Sequence, residues 1–98
     1  MLLAGDIGGT KTEVAIYDPA TGPSQPLASA RFLSGDYDSL EAIVREFRQQ
    51  APQPITAACF DVAGPVRSGK ARITNLTWVV EAEALRAAFG LKAVWLLN

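Results

Sequence analysis

Between Gly5 and Thr12 the chain reads Gly-Asp-Ile-Gly-Gly-Thr-Lys-Thr, which gathers one carboxylate, two adjacent glycines and two hydroxyls in a short string. Adjacent glycines carry no Cβ and tolerate φ > 0, so backbone N–H groups there can converge on an anion at close range. Thr10 and Thr12 add hydroxyl donors, and Asp6, at a strand end, can hold a magnesium ion directly or through water. These are the groups that handle the phosphates of a nucleotide and their metal. A Gly-Gly turn between strands is by itself commonly no more than a turn. The acid before it and the hydroxyls after it favour the phosphate reading.

Other chemistries find less support. The chain contains no G-x-x-x-x-G-K-[ST] loop, and the residues after the glycines alternate like a strand, where a dinucleotide-binding fingerprint would open a helix. One cysteine and no histidine exclude a disulfide framework and a zinc site built from this chain alone. Cys59, inside an apolar run, reads as an inert buried thiol. Asp61, in the same run, is equally suited to a functional role or to a hydrogen bond at a strand end. Lys11 can reach a phosphate or point to solvent. Trp78 and Trp95 adjoin apolar runs and read as core or interface before sugar-stacking.

The elements that must position these groups follow from periodicity. Met1 to Ala4 and Thr12 to Tyr17 are strand-like and flank the glycine turn as a β-hairpin. Asp18 to Pro26 holds three prolines and a glycine and is a surface loop. Leu27 to Leu33 alternates, with Ala28, Ala30 and Phe32 on one face, and forms a third, antiparallel strand. Asp38 and Glu41 have capping-box spacing at the start of a helix whose stripe is Leu40, Ile43, Val44 and Phe47; Pro52 and Pro54 stop it. Ile55 to Val62 is nearly continuous in apolar character, as a central parallel strand would be. After the break at Ala63-Gly64-Pro65, Val66 to Ile73 folds as a small hairpin turning at Ser68-Gly69, with Lys70 and Arg72 exposed. A link at Thr74 to Trp78 leads to a second helix carrying Ala82, Leu85, Ala88 and Phe89, ended by Gly90. Leu91 to Leu97 is a last strand. The order β-β-β-α-β, small hairpin, α-β, joined by right-handed crossovers, gives an α/β lobe with a mixed five-stranded sheet, the ribonuclease H-like (actin-like ATPase) topology.

The size, 98 residues, suits one small domain. Nine basic against ten acidic residues give a net charge of −1 with no basic patch, which argues against nucleic acid or anionic membranes as partners. Only three apolar residues separate Met1 from Gly5, so neither a signal peptide nor a membrane span is expected, and a single cysteine fits a reducing cytoplasm.

The string from Asp6 to Thr12 resembles the first phosphate motif of the sugar kinase, Hsp70 and actin superfamily. Within it, Leu3-Ala4-Gly5-Asp6-Ile7-Gly8-Gly9-Thr10-Lys11-Thr12, Phe60-Asp61-Val62-Ala63-Gly64-Pro65-Val66, Thr74-Asn75-Leu76-Thr77-Trp78 and the closing Val94-Trp95-Leu96-Leu97-Asn98 resemble the bacterial glucokinases, in order and over the whole chain. Thr77-Trp78 departs from the Pro-Trp often found in that family. The resemblance implies transfer of the γ-phosphoryl group of ATP to the 6-hydroxyl of glucose, in the cytoplasm, by a protein that is often a homodimer. It places Gly5, Asp6, Ile7, Gly8, Gly9 and Thr10 along the ATP phosphates, Asp6 near Mg2+ through water, and Asn98 on a sugar hydroxyl, with Asn75 a weaker candidate facing the sugar. The catalytic base of that family would be an aspartate directly after Asn98. The chain therefore reads as residues 1–98 of an amino-terminal lobe, inactive alone, of a longer two-lobed kinase. Two other readings are a kinase or regulator of the related repressor/open-reading-frame/kinase group, and a non-catalytic nucleotide-binding module of the actin branch.

Overall fold

The computed structural model describes residues 1–98 except Pro23, Thr74 and Asn75. Five strands form the main sheet: β1 (Leu2–Ile7), β2 (Lys11–Tyr17), β3 (Ala28–Leu33), β4 (Ala57–Val62) and, at the end of the chain, β8 (Ala93–Leu97). They lie in the order β3-β2-β1-β4-β8. The first three form an antiparallel meander, whereas β4 runs parallel to β1 and β8 parallel to β4. A parallel neighbour needs a crossover, and the helices α1 (Leu40–Gln50) and α2 (Ala82–Phe89) supply them. The mixed five-stranded sheet is thus the one expected from the sequence.

Helix α1 forms where the apolar stripe predicts, and Leu40, Ile43, Val44 and Phe47 are all buried. Each such side chain contributes about 1.5–3 kcal/mol on leaving water. They meet Leu3, Ile7, Val14, Ile16, Phe60 and Val62 from one face of the sheet, and Leu85 of α2 joins the same cluster. The opposite face follows from strand alternation. It carries small residues at its centre, with Trp95 and Leu97 about half exposed.

Three details differ from expectation. Helix α1 is capped by Ser39, not Asp38: Ser39 is extended, at φ −164° and ψ 165°, and its side chain accepts from the Ala42 N–H. The helical bonds begin one residue later than the Asp38/Glu41 spacing suggests, which leaves Asp38 exposed ahead of the cap. Val79–Glu81, which the sequence leaves between link and helix, is a strand, β7. It completes a small antiparallel sheet with β5 (Val66–Arg67) and β6 (Lys70–Arg72), too short for alternation to reveal. Cys59 is only half buried, because it lies on the face of β4 opposite Ala58 and Phe60.

The hairpin between β5 and β6 turns where predicted. Ser68 and Gly69 both have positive φ, 51° and 72°, as a type I′ turn requires. Trp78 is buried, and its indole N–H donates to the Tyr37 carbonyl at 3.0 Å, so it is core, as expected. That bond ties the small sheet to the segment leading into α1.

Replacing the α1 cap, Ser39→Ala, removes the acceptor for the Ala42 N–H and should lower folding stability by about 1 kcal/mol. Asp38→Ala, ahead of the cap, should change it by less than about 0.5 kcal/mol. Urea denaturation of the two variants against the parent distinguishes the true cap.

Candidate functional site

Because β1, β4 and β8 run parallel, their carboxyl ends share one edge of the sheet. In the register Asp6 sits beside Asp61, and Asp61 beside Leu97. Ligands of open α/β sheets bind at that edge, where loops leave the strands. Three segments meet there: the Gly8–Thr10 turn after β1, Ala63–Pro65 after β4, and Asn98 after β8. Hydrogen bonds hold the segments after β4 and β8 in place. The Ala63 N–H donates to the Ile7 carbonyl at the end of β1 at 3.0 Å, and the Gly64 N–H folds back on the Val62 carbonyl of its own strand at 3.0 Å. The Asn98 side-chain amide donates to the Gly64 carbonyl. Gly64 is itself pressed against the small sheet, since a Cβ there would lie 2.9 Å from the Arg72 carbonyl oxygen.

The turn between β1 and β2 is closed by the Gly8 N–H donating to the Lys11 carbonyl at 2.9 Å. Gly8 does not take positive φ, the property for which a glycine pair is most easily explained. Its side chain is excluded by proximity instead: a Cβ would stand 3.0 Å from the Lys11 oxygen. Beneath the turn lies Ser34, in the 3-10 segment Ser34–Asp36 after β3, with no exposed surface. Its N–H donates to the Thr10 carbonyl at 2.9 Å and its hydroxyl to the Gly8 carbonyl at 2.7 Å. The Thr12 hydroxyl lies 2.8 Å from the Ser34 hydroxyl.

This arrangement sorts the residues that the sequence brings forward. Asp6 and Thr10 are exposed, and Gly8 and Gly9 present backbone at the surface. Thr12, read as a second phosphate donor, is fully buried with its hydroxyl turned to Ser34, so only Thr10 offers a free hydroxyl. Ile7 is wholly inside the core. Gly5 faces the same core: a Cβ there would lie 2.6 Å from Cδ1 of Phe60, so this glycine makes room for an aromatic ring. The Cβ positions of Gly5 and Ile7 both face the core. Asn98 stands exposed at the edge, on the Gly64 carbonyl. Asn75 lies outside the described residues.

Ser34 was missed by sequence reasoning. A serine after an apolar strand is an ordinary strand breaker, and nothing local signals that it reaches back across the hairpin to residues 22 and 26 positions earlier. The other feature is a row of carboxylates on the open face. Glu13 pairs across from Asp6, and Asp6 from Asp61. Glu13 also meets Arg31 at 3.7 Å, both exposed. A shallow depression of about 750 Å³ on this face, bordered by Asp6, Glu13, Ala15 and Arg31, lies beside the strand-end edge and not under the glycine turn.

Comparison with known proteins shows the family and the fold. A family model described as Glucokinase matches residues 3–98. A glucokinase of Nostoc punctiforme is 39% identical over 102 residues, covering 100% of this chain and 29% of its own length. The crystal structure of a glucokinase from an Antarctic psychrotroph superposes with a TM-score of 0.85 at 30% identity, over 99% of this chain and 31% of that one. A putative sugar kinase from Cytophaga hutchinsonii shares the fold, with a TM-score of 0.74 at 21% identity over 100% of this chain and 36% of that one. The chain therefore spans about three-tenths of the length of the glucokinases it matches.

Gly5→Ala should destabilise the fold by about 1–3 kcal/mol, because its methyl group overlaps the Phe60 ring. Trimming that ring in the double variant Gly5→Ala/Phe60→Leu should lose less than the sum of the two single changes. Denaturation midpoints across the four-member cycle measure the coupling.

Proposed function

The chain belongs to the glucokinase family, and on that premise we propose that it is the amino-terminal, phosphate-side lobe (residues 1–98) of a two-lobed kinase that moves the γ-phosphoryl group of ATP to the 6-hydroxyl of glucose. The observation that carries this is the meeting of the glycine turn, Asp6 and Asn98 on one sheet edge, in a chain matched by the family model from residue 3 to its last residue.

The donor set suits the ligand. With the Gly8 N–H spent on the Lys11 carbonyl, the turn would offer a phosphate the Gly9 backbone amide and the exposed Thr10 hydroxyl. Asp6, one strand pairing from the turn, is exposed and would hold Mg2+ through water. When bound, Mg2+ neutralises charge on the phosphates. Asn98 would bind a sugar hydroxyl. Its amide N–H group is already engaged by the Gly64 carbonyl, which leaves its Oδ1 oriented away from Gly64 as an acceptor for a hydroxyl hydrogen. The sugar's 6-hydroxyl must give up a proton as it attacks, and the base for that proton is the aspartate expected directly after Asn98. Phosphoryl transfer rests on positioning and charge stabilisation from both sides of the cleft. One lobe supplies only part of that.

A cytoplasmic enzyme acting on glucose and ATP, with neither nucleic acid nor membrane as partner and assembling as a homodimer, completes the proposal. Among the described residues no helix is long and apolar enough to cross a membrane.

The 98-residue chain alone should show no measurable glucose-dependent ATP turnover, because a positioned base contributes about 10²–10⁴-fold and is not in it. The full-length protein should form glucose 6-phosphate in a coupled assay. If the full-length protein binds ATP but is indifferent to glucose, the kinase reading fails and a non-catalytic nucleotide-binding role stands. In that same protein Asp6→Asn should lower activity about 10- to 100-fold, as loss of an outer-sphere metal partner does, and raise the Mg2+ concentration needed for half-maximal rate. An unchanged Mg2+ requirement would remove Asp6 from the metal's surroundings.

A further inference from the structure

From the buried contacts under the glycine turn we infer that Ser34 is a positioning residue for nucleotide phosphate, holding the Gly8–Gly9 peptide in the orientation that turns the Gly9 N–H outward. This deepens the proposed function and rests on it.

The hydrogen bonds fix a direction. Ser34 has one hydroxyl hydrogen, and the Gly8 carbonyl can only accept, so that hydrogen goes to Gly8 at 2.7 Å. In the 2.8 Å contact between the two hydroxyls, Thr12 must then be the donor and Ser34 the acceptor. The result is a one-way chain, Thr12 Oγ1–H to Ser34 Oγ–H to Gly8 O, closed inside the protein at two residues with no exposed surface. The Ser34 backbone N–H holds the Thr10 carbonyl at 2.9 Å on the other side of Gly9. One residue thus fastens the turn at both ends.

The consequence for an anion follows from peptide geometry. The chain has no cis peptide bond, so the Gly8 C=O and the Gly9 N–H point in opposite directions from one planar unit. With the carbonyl held inward by Ser34, the N–H faces outward. Glycines on both sides of a peptide make its rotation easy, since neither brings a Cβ. A rotated peptide would present its carbonyl oxygen outward, where a phosphate would be repelled. Ser34 selects between these two states. It need not touch the nucleotide to do so.

The test uses the full-length protein, with Ser34→Ala compared against Ser39→Ala, which weakens the fold at the α1 cap away from the turn. Ser34→Ala should raise KM for ATP by about 3- to 10-fold, the usual worth of one internal hydrogen bond. It should raise the inhibition constant of inorganic tripolyphosphate by a similar factor, with KM for glucose moved less than about 2-fold. Ser39→Ala should lower the melting temperature and leave both phosphate readouts near the parent's. Should Ser34→Ala fold poorly, Ser34→Cys carries the same expectation, since a thiol fills the site but is a weak donor. The inference is overturned if the parent phosphorylates glucose and KM for ATP is unmoved in the Ser34 variants. It is equally overturned if KM for ATP and KM for glucose rise together in the Ser34 variants, or if Ser39→Ala raises KM for ATP as much as Ser34→Ala does. A full-length parent with no ATP-dependent phosphorylation would instead bring down the proposed function, and this inference with it.

Discussion

Strand β1 is hydrogen-bonded on both edges, antiparallel to β2 and parallel to β4, and this double pairing is the constraint on which the rest depends. The antiparallel side makes a tight turn immediately after Ile7, so the glycine turn lies at the end of the strand. The parallel side forces β4, and through it β8, to end at the same edge. Asp6, Asp61 and Asn98 are far apart in sequence and come together only because three strands point one way. Gly5 belongs to this constraint: the ring of Phe60 packs on the β1 backbone where a Cβ would stand.

Much of this was legible from residue patterns. The stripe of α1, the alternation of β3 and the continuous apolar run of β4 each state their partner's face, because burial of one face is what those periodicities encode. The glycine turn was legible for the same reason, as two strands with turn chemistry between them. The unreadable parts are those fixed by contacts between distant segments. Ser34 looks like a strand breaker until the hairpin folds back over it. Thr12 looks like a phosphate ligand until the chain folds back and Ser34 takes up its hydroxyl inside the protein. Strand β7 has three residues, and its identity depends on pairing with β6. The cap of α1 moved by one residue because Asp38 and Ser39 are both good caps, and only the start of the helical bonds decides between them.

Burying two hydroxyls beneath a turn is costly unless both are satisfied, and here they are satisfied in series. A methyl or valine pair of similar shape would fill the space with less dependence on geometry. It would leave the Gly8 carbonyl without its buried donor and the Gly-Gly segment free to rotate. The polar network therefore specifies one conformation of a segment that glycine otherwise leaves loose, which is the best physical reason for its presence.

The acids and the glycine turn lie beside one another at the edge of the sheet. Glu13, Asp6 and Asp61 lie on adjacent strands, about 4.8 Å apart, and the Arg31 ion pair with Glu13 is exposed on both sides, so it offsets little of their mutual repulsion. A row of carboxylates beside amides that attract anions is contradictory for a bare phosphate, which the acids would repel. On the proposed function it would suit a phosphate that arrives with a divalent cation, since the cation would meet Asp6 while the oxygens meet the amides. Asp6 stands at the junction, at the strand end next to the turn. On the proposed function, an acid at that position would serve the same ligand as the glycines two residues on, each recognising one half of a metal–phosphate pair.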